Sequence, residues 1–406
     1  MDSAFADDIR RRAAWEKERE QHPEGFPALP AIPAARYCDP AFFRLEREHV
    51  FGKTWLFVAH LDELPEPGDV LLLDQFPMPL LLIRGEDRKV RAFYNTCRHR
   101  GGPLIREPKA HVKTRLVCQY HSWSYDLEGR LRGVPDSKNF GNLDMTCLGL
   151  GAVNCDSWAG LIFINLDPGA RPLRKFLAPI IKDVDGEIGD AAGSVQLRFV
   201  RKTATQQRGN WKLGVDANIE TYHVNTVHKT SAAPAIDQNA TTMWLLENGH
   251  SRMFIANRPG ITPRSYISGF PKVSAVTGEG VYSYLIYPNT VLVIAPTMAF
   301  TTQTWPVAPG QMRYDVYYMM AQEMNDSNRP AYEGIMRATD RVLAEDLGNL
   351  PFMQDSFEAG TINTIPLNYQ ERRIYYLHEE IDRRIGDELV MPHLRVAPVL
   401  ADFVEK

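Results

Sequence analysis

Asn95-Thr96-Cys97-Arg98-His99-Arg100-Gly101-Gly102 and, further along, Cys118-Gln119-Tyr120-His121-Ser122-Trp123-Ser124-Tyr125 carry the reading of the fold. The spacing is C-x-H-x18-C-x2-H, so two short loops each offer one thiol and one imidazole. Such a set suits a tetrahedral zinc or an iron–sulfur cluster of mixed ligation. Zinc sites usually open on two cysteines in one turn, whereas here every loop is mixed. That division matches a [2Fe–2S] cluster in which one iron takes both sulfurs and the other both imidazoles. Gly101 and Gly102 let the backbone approach the group closely, and Tyr120, Trp123 and Tyr125 shield it from water.

Outward from these loops, residues 54–167 alternate short apolar runs with turns, at 55–58, 70–73, 80–84, 90–94, 115–118 and 161–166. This predicts a small all-β domain. Before it, 1–53 read as a solvated Arg/Glu/Ala helix over 7–21, a proline-rich arm over 22–33 and a lead-in to the second half. After it, 168–406 interleave longer strands at 196–205, 243–246, 252–256, 281–287, 290–295 and 312–320 with helices at 215–224 and 331–350. The fold class is therefore α+β, with a mainly antiparallel sheet in the second half.

The 406 residues are 44% hydrophobic and 24% charged, a globular composition with room for two or three domains. A net charge of −4 disfavours a nucleic-acid binder with a globally basic surface. No apolar run approaches the roughly 20 residues of a membrane span. The first residues lack the apolar core of a secretory signal, so a cytoplasmic location is expected. Five cysteines, an odd and small number, read as ligands or buried thiols rather than disulfides.

Further on, Asn210-Trp211-Lys212 leads into Asp216-Ala217-Asn218-Ile219-Glu220-Thr221-Tyr222-His223-Val224-Asn225-Thr226-Val227-His228. If 215–224 is helical, Asp216, Glu220 and His223 share a face at i, i+4 and i+7. Two histidines five apart suit a helix end that curls to bring both imidazoles to one ion. A carboxylate completing the set would leave positions open for O2 and substrate. The helix over 331–350 offers Glu345-Asp346. Asp346 lies on the apolar stripe of Val342, Leu343 and Leu350, while Glu345 keeps to the wet side with Arg341 and Asn349. A buried carboxylate without a partner is costly, which favours Asp346 as a ligand. Asp355, beyond the break at Pro351, is the reserve.

Over roughly 54–360 the chain resembles the Rieske non-haem iron oxygenases, the large (alpha) subunits of aromatic-ring-hydroxylating oxygenases. The two Cys–His loops carry the likeness, with Asn210-Trp211-Lys212, Glu220-x-Tyr222-His223-x4-His228, Glu345-Asp346 and Gln354. The resemblance implies a Rieske [2Fe–2S] cluster with Cys97 and Cys118 on one iron and His99 and His121 on the other. It also implies a helix-grip catalytic domain in which His223, His228 and Asp346 bind a mononuclear Fe(II), and a homotrimer or a multiple of it. Glu220 would bridge to His121 of the neighbouring copy. Two positions depart from the family habit: Ser122 where Gly is common, and Ala217 where many relatives have Asn.

By the same resemblance, electrons come from NAD(P)H through a separate reductase, with or without a ferredoxin; the chain has no G-x-G-x-x-G fingerprint of its own. The expected reaction is cis-dihydroxylation of an aromatic or apolar small molecule. Monooxygenation or O-/N-dealkylation on the same scaffold is the alternative. A non-catalytic Rieske electron carrier is a weaker reading, because it has no use for His223, His228 and Asp346. Arg98, Arg100, Arg106, Lys109, Lys113 and Arg115 against Glu107 leave +5 beside the cluster loops, a patch expected to steer an acidic electron carrier. The segment 243–300, with Trp244, Phe254, Tyr282, Tyr284 and Tyr287, suits either an aromatic pocket or sheet core. Arg258 or Arg264 would anchor a substrate carboxylate.

Overall fold

Apolar runs closed by turn residues make the first half a set of short strands, and one of them, Leu80–Arg84, is buried at every position. A computed structural model of the chain describes residues 3–188, 197–261, 270, 276–321 and 324–405. It forms two units, Gly52–Leu173, and Met1–Phe51 together with Arg174–Lys406.

The first unit holds β1 Leu56–His60, β2 Asp69–Leu73, β3 Leu80–Arg84, β4 Val90–Tyr94, β5 Lys109–His111, β6 Leu116–Val117, β7 Ser124–Tyr125, β8 Leu131–Gly133, β9 Ala152–Trp158 and β10 Leu161–Asn165. Seven of them form a sheet in the order β1-β10-β9-β4-β3-β2-β5, and β6-β7-β8 form a second, three-stranded ladder. The central place of β3 explains its continuous apolar run. The two Cys–His loops are the β4–β5 and β6–β7 connections. Strand β9 was not expected, because Asn154, Asp156 and Ser157 dilute its apolar pattern; it pairs with β10 from Asn154 to Trp158 and with β4 at Ala152 and Val153.

The second unit holds α1 Ser3–Glu18, α2 Pro40–Leu45, α3 Ala178–Ile188, β11 Arg198–Arg208, α4 Trp211–Asp216, α5 Val224–Val227, β12 Thr242–Leu246, β13 Ser251–Ala256, β14 Gly280–Ile286, β15 Thr290–Ile294, β16 Met298–Ala308, β17 Gln311–Met320, α6 Arg329–Leu347, α7 Leu350–Glu358, α8 Arg372–Ile385 and β18 Val404–Glu405. Its eight-stranded sheet runs β11-β17-β16-β15-β14-β13-β12-β18, antiparallel except for the β12–β18 pair. Helix α8 is held on this sheet. Arg373 donates to Ser251 Oγ at 2.8 Å and to the Ser283 carbonyl at 3.3 Å, and Tyr376 Oη donates to the Leu246 carbonyl at 2.7 Å. The sheet with its long helix is the expected helix-grip arrangement, although α8 itself was missed. No helix among the described residues is long and apolar enough to cross a membrane.

Three expectations need correction. Residues 215–224 are not one helix: α4 stops at Asp216 and α5 begins at Val224. The side chain of Asn218 takes the Gly214 carbonyl at 2.8 Å, the acceptor its own N–H would use in a continuing helix, and that N–H bonds Val215 instead. The shared face of Asp216, Glu220 and His223 therefore does not exist. Helix α1 is not solvated all round, because Ala6, Ile9 and Ala13 are buried while Arg10 and Lys17 pair with Glu279 and Asp237. The helix expected over 331–350 is α6, which ends at Leu347, and Pro351, read as a break, stands in the first turn of a further helix, α7.

Close packing sets the start of the site. Gly214 lies where α4 crosses β16 and β17, and a Cβ there would fall 2.5 Å from Thr304 Cγ2. Asn210 caps α4 through the Lys212 N–H, and its own N–H bonds Gln354 Oε1 of α7 at 2.8 Å.

Candidate functional site

In the first unit, Cys97 and Cys118 are buried in the apolar cluster of Leu104, Leu116, Trp123 and Tyr125, while His99 and His121 are only half-buried. Tyr125 Oη lies 3.3 Å from Cys97 Sγ and accepts the Arg98 N–H at 3.0 Å. His99 stacks on Trp123 with 4.9 Å between centroids, and the His121 ring is 4.6 Å away. A Cβ on Gly102 would sit 3.4 Å from Cys118 Sγ, so the glycine keeps room beside the sulfur. All five cysteines are free, and the buried His99 Nδ1 has no hydrogen-bond partner. Thiols inside, imidazoles outside and one orphaned ring nitrogen fit a two-iron cluster held by Cys97, Cys118, His99 and His121.

In the second unit, the turn after α4, helix α5 and helix α6 bring together His223, His228 and Asp346. His223 Nε2 is 3.2 Å from His228 Nε2 and 3.3 Å from Asp346 Oδ1, and His228 Nε2 is 2.9 Å from the same oxygen. Ligands at about 2.1 Å from one ion and at right angles stand about 3.0 Å apart, so the three atoms mark one face of an octahedron. Both rings are oriented from behind. Glu220 Oε1 contacts His223 Nδ1 while its other oxygen accepts the Tyr222 N–H. Glu345 Oε2 lies 2.8 Å from His228 Nδ1.

The electrostatics follow the same contacts. Burial opposes a charge on His223, yet hydrogen bonds to Asp346 and Glu220 push it up to about 10. Burial would raise Asp346, but the two imidazoles hold it below the usual carboxylate range. Two rings and a carboxylate that compete for protons so strongly are equally suited to a divalent cation.

Next to this face opens a cavity of about 420 Å³ lined by Tyr37, Leu213, Asp216, Glu220, Phe352 and Glu371, with His223 and Asp346 on its wall. None of Trp244, Phe254, Tyr282, Tyr284 and Tyr287 lines it; all five are sheet core. Asp355 pairs with Arg208 at the surface. Arg258 donates to the Ala233 carbonyl at 2.7 Å, and Arg264 lies outside the described residues. Sequence reasoning missed Tyr37, Glu371 and the reach of Glu345 to His228. Glu345 neighbours Asp346 on α6, and that adjacency was the available signal.

Family models match along the chain: a Rieske [2Fe-2S] domain over 54–150 and a ring hydroxylating alpha subunit catalytic domain over 195–387. The carnitine monooxygenase oxygenase subunit of Escherichia coli (strain K12) is 30% identical over 341 residues, 80% of this chain and 86% of the relative. The 2-aminobenzenesulfonate 2,3-dioxygenase subunit alpha of an Alcaligenes species is 28% identical over 357 residues, 83% of this chain and 86% of the relative. Among solved structures, a quaternary ammonium Rieske monooxygenase, described for carnitine oxidation by gut microbiota and inter-subunit electron transfer, matches with a TM-score of 0.75 at 22% identity. That match covers 90% of this chain and 100% of the other.

Proposed function

The chain belongs to the Rieske-type ring-hydroxylating oxygenase alpha subunits, and from that premise we propose that it is the oxygenase component of a monooxygenase acting on a small quaternary ammonium compound. The observation that carries the oxygenase reading is the three-cornered face of His223, His228 and Asp346, backed by Glu220 and Glu345 and open to a cavity. The substrate class is supported by the carnitine monooxygenase relative. Ring cis-dihydroxylation, the reaction expected from the sequence, is the second reading, favoured by the 2-aminobenzenesulfonate dioxygenase relative.

The family carries a Rieske cluster and a mononuclear iron and draws its electrons from a reductase. Cys97, Cys118, His99 and His121 would hold the cluster; His223, His228 and Asp346 would hold the iron. When bound, the cluster supplies electrons one at a time and the iron supplies the place where O2 is reduced. Glu220 and Glu345 hold Nδ1 of His223 and His228, which would leave Nε2 of each ring for the metal.

Glu220 also stands beside exposed apolar surface, with Tyr222, Phe352 and Met353 open to solvent. The cluster tip exposes Tyr120, with Arg100 over its ring, and Arg98. An apolar, carboxylate-bearing seat and an apolar, arginine-bearing tip are complementary, so a neighbouring copy would place its His121 at Glu220, as in a homotrimer. Glu220→Gln then keeps the cluster and, when supplied with excess iron, the iron as well, yet nearly stops turnover. Normal steady-state rates in that variant would remove Glu220 from the path. Of the cations around the cluster loops, Arg106, Lys109, Lys113 and Arg115, which are exposed and not used in that contact, would be the surface offered to an acidic reductase or ferredoxin. Raising ionic strength should slow reduction of the cluster by that carrier; an unchanged rate constant excludes steering.

The test of function is a panel of carnitine, glycine betaine, other N-alkyl compounds and aromatic acids with a surrogate reductase under 18O2. One labelled atom per product establishes monooxygenation, and two in a cis-diol establish the second reading. Metal analysis should find about three irons per chain with inorganic sulfide. Zinc without sulfide would overturn both.

A further inference from the structure

Behind the cavity wall lies a buried polar chain whose direction is fixed by one arginine. Arg36 Nε donates to His378 Nδ1 at 2.8 Å, and Arg36 pairs with Asp382 at 2.8 Å. A guanidinium nitrogen can only donate, so His378 Nδ1 must be the bare nitrogen. Burial, with the charges of Arg36 and Lys212, holds His378 well below its ordinary value, so the ring is neutral and its single proton sits on Nε2. That nitrogen is 2.9 Å from Tyr37 Oη, which must accept there. The hydroxyl hydrogen of Tyr37 is thereby directed to Asp216 Oδ2, 2.6 Å away. Oδ2 is thus committed as an acceptor, and any proton on Asp216 has only Oδ1 to occupy. Oδ1 is buried and has no hydrogen-bond partner.

Asp216 is a wall residue of the cavity that also contains His223, Asp346 and Glu220. The charged groups around it are named readily. Glu46 and Lys212 form a fully buried pair beside the Tyr37 ring. Glu220 comes from the turn after α4, Asp346 from α6 and Glu371 from the turn before α8. Tyr37, with Arg36 behind His378, completes the shell. Burial raises Asp216 to about 7; the Tyr37 hydrogen bond and Lys212 oppose that rise, and Glu220 and Glu371 add to it.

Oxygenation of either kind consumes protons. Inserting one oxygen atom and reducing the other to water takes two electrons and two protons per O2, and so does addition of both atoms to a ring. The electrons come from the reductase, but the protons must be delivered where oxygen is reduced.

Resting on the oxygenase reading above, we propose that Asp216 is the proton donor to this cavity. The Oδ1–H bond breaks and its proton passes to oxygen that has received the reductase electrons. The carboxylate left behind is stabilised by the Tyr37 hydroxyl already pointed at Oδ2. Solvent entering the cavity restores the proton before the next turnover. The polar chain from Arg36 to Tyr37 is a positioning device: it forbids Tyr37 from turning its hydrogen elsewhere.

Infrared difference spectroscopy of the holoenzyme, wild type against Asp216→Asn, tests the proton directly and needs no substrate. The expected result is a protonated-carboxyl stretch that titrates near neutral pH in wild type and is missing from the variant. No such difference between pH 6 and 8 overturns the proposal. In turnover, Asp216→Asn should keep the cluster spectrum and iron content, lose 10²- to 10⁴-fold in rate, and lose the neutral limb of the pH profile. A full rate with that limb unchanged also overturns it. Tyr37→Phe provides a second arm if the first variant folds poorly: without the hydroxyl, the infrared titration and the kinetic limb should both move to higher pH, and an unmoved titration refutes the assignment. Should wild type oxidise nothing on the panel, the functional reading fails while the infrared titration still decides Asp216.

Discussion

The clustering of His223, His228 and Asp346 could be read from spacing: two histidines five apart, and an acid on an apolar stripe. Glu345 shows where such marks run out. Its Oε1 does meet Arg341, at 3.2 Å, as a wet-side residue should, while its Oε2 reaches inward to His228 and Ser231. A helical position beside the buried stripe faces both ways, and a one-dimensional pattern assigns it to one. Glu345→Gln should weaken iron retention by roughly 10- to 100-fold, read as iron lost to a chelator with the cluster spectrum unchanged. Retention equal to wild type would make the contact with His228 incidental. The buried chain at Asp216 was invisible for another reason: its members come from residues 36, 216 and 378, and only folding joins them.

At the level of elements, β3 and β4 were readable to the residue, because a buried β run has one period and clear stops, whereas β5, β7, β8, β9 and β16 were not expected. Helix α8 was missed because Arg372, Arg373, His378, Glu379, Glu380 and Asp382 are all buried, whereas hydropathy treats such residues as surface. Its stripe of Ile374, Leu377, Ile381 and Ile385 was there to be found. The loop between β6 and β7 gives a sharper case. Ser122 adopts φ +57°, the left-handed region where glycine is at ease, so the departure from the family habit keeps the loop shape at a cost. Ser122→Gly should stabilise the first unit by about 1 kcal/mol, seen as a higher denaturant midpoint for loss of cluster absorbance. A lower midpoint would mean that the serine hydroxyl holds the loop.

For the molecule as a whole, His250 ties stability to pH. It is fully buried, Nε2 bonds the Phe176 carbonyl at 2.8 Å and Nδ1 accepts the Tyr287 N–H at 3.1 Å, so only the neutral ring fits. Burial pulls it down to about 4. A depressed histidine contributes stability that is present above about pH 6.5 and lost as pH falls toward 4. Compared with His250→Gln, which does not titrate, wild type should give up on the order of 3 kcal/mol across that window. Urea midpoints of both proteins at pH 7.5 and 4.5 measure it, and parallel midpoints refute it. The chain order of the two units has its own consequence. Gly52–Leu173 is one unbroken segment, whereas its companion needs residues from both sides of it, down to α8 and β18. On the ribosome the cluster-bearing unit can finish early and be loaded with metal while the iron pocket, short of its α6 carboxylate, must wait. A cluster and an iron held at these sites would thus be able to enter at different moments of synthesis.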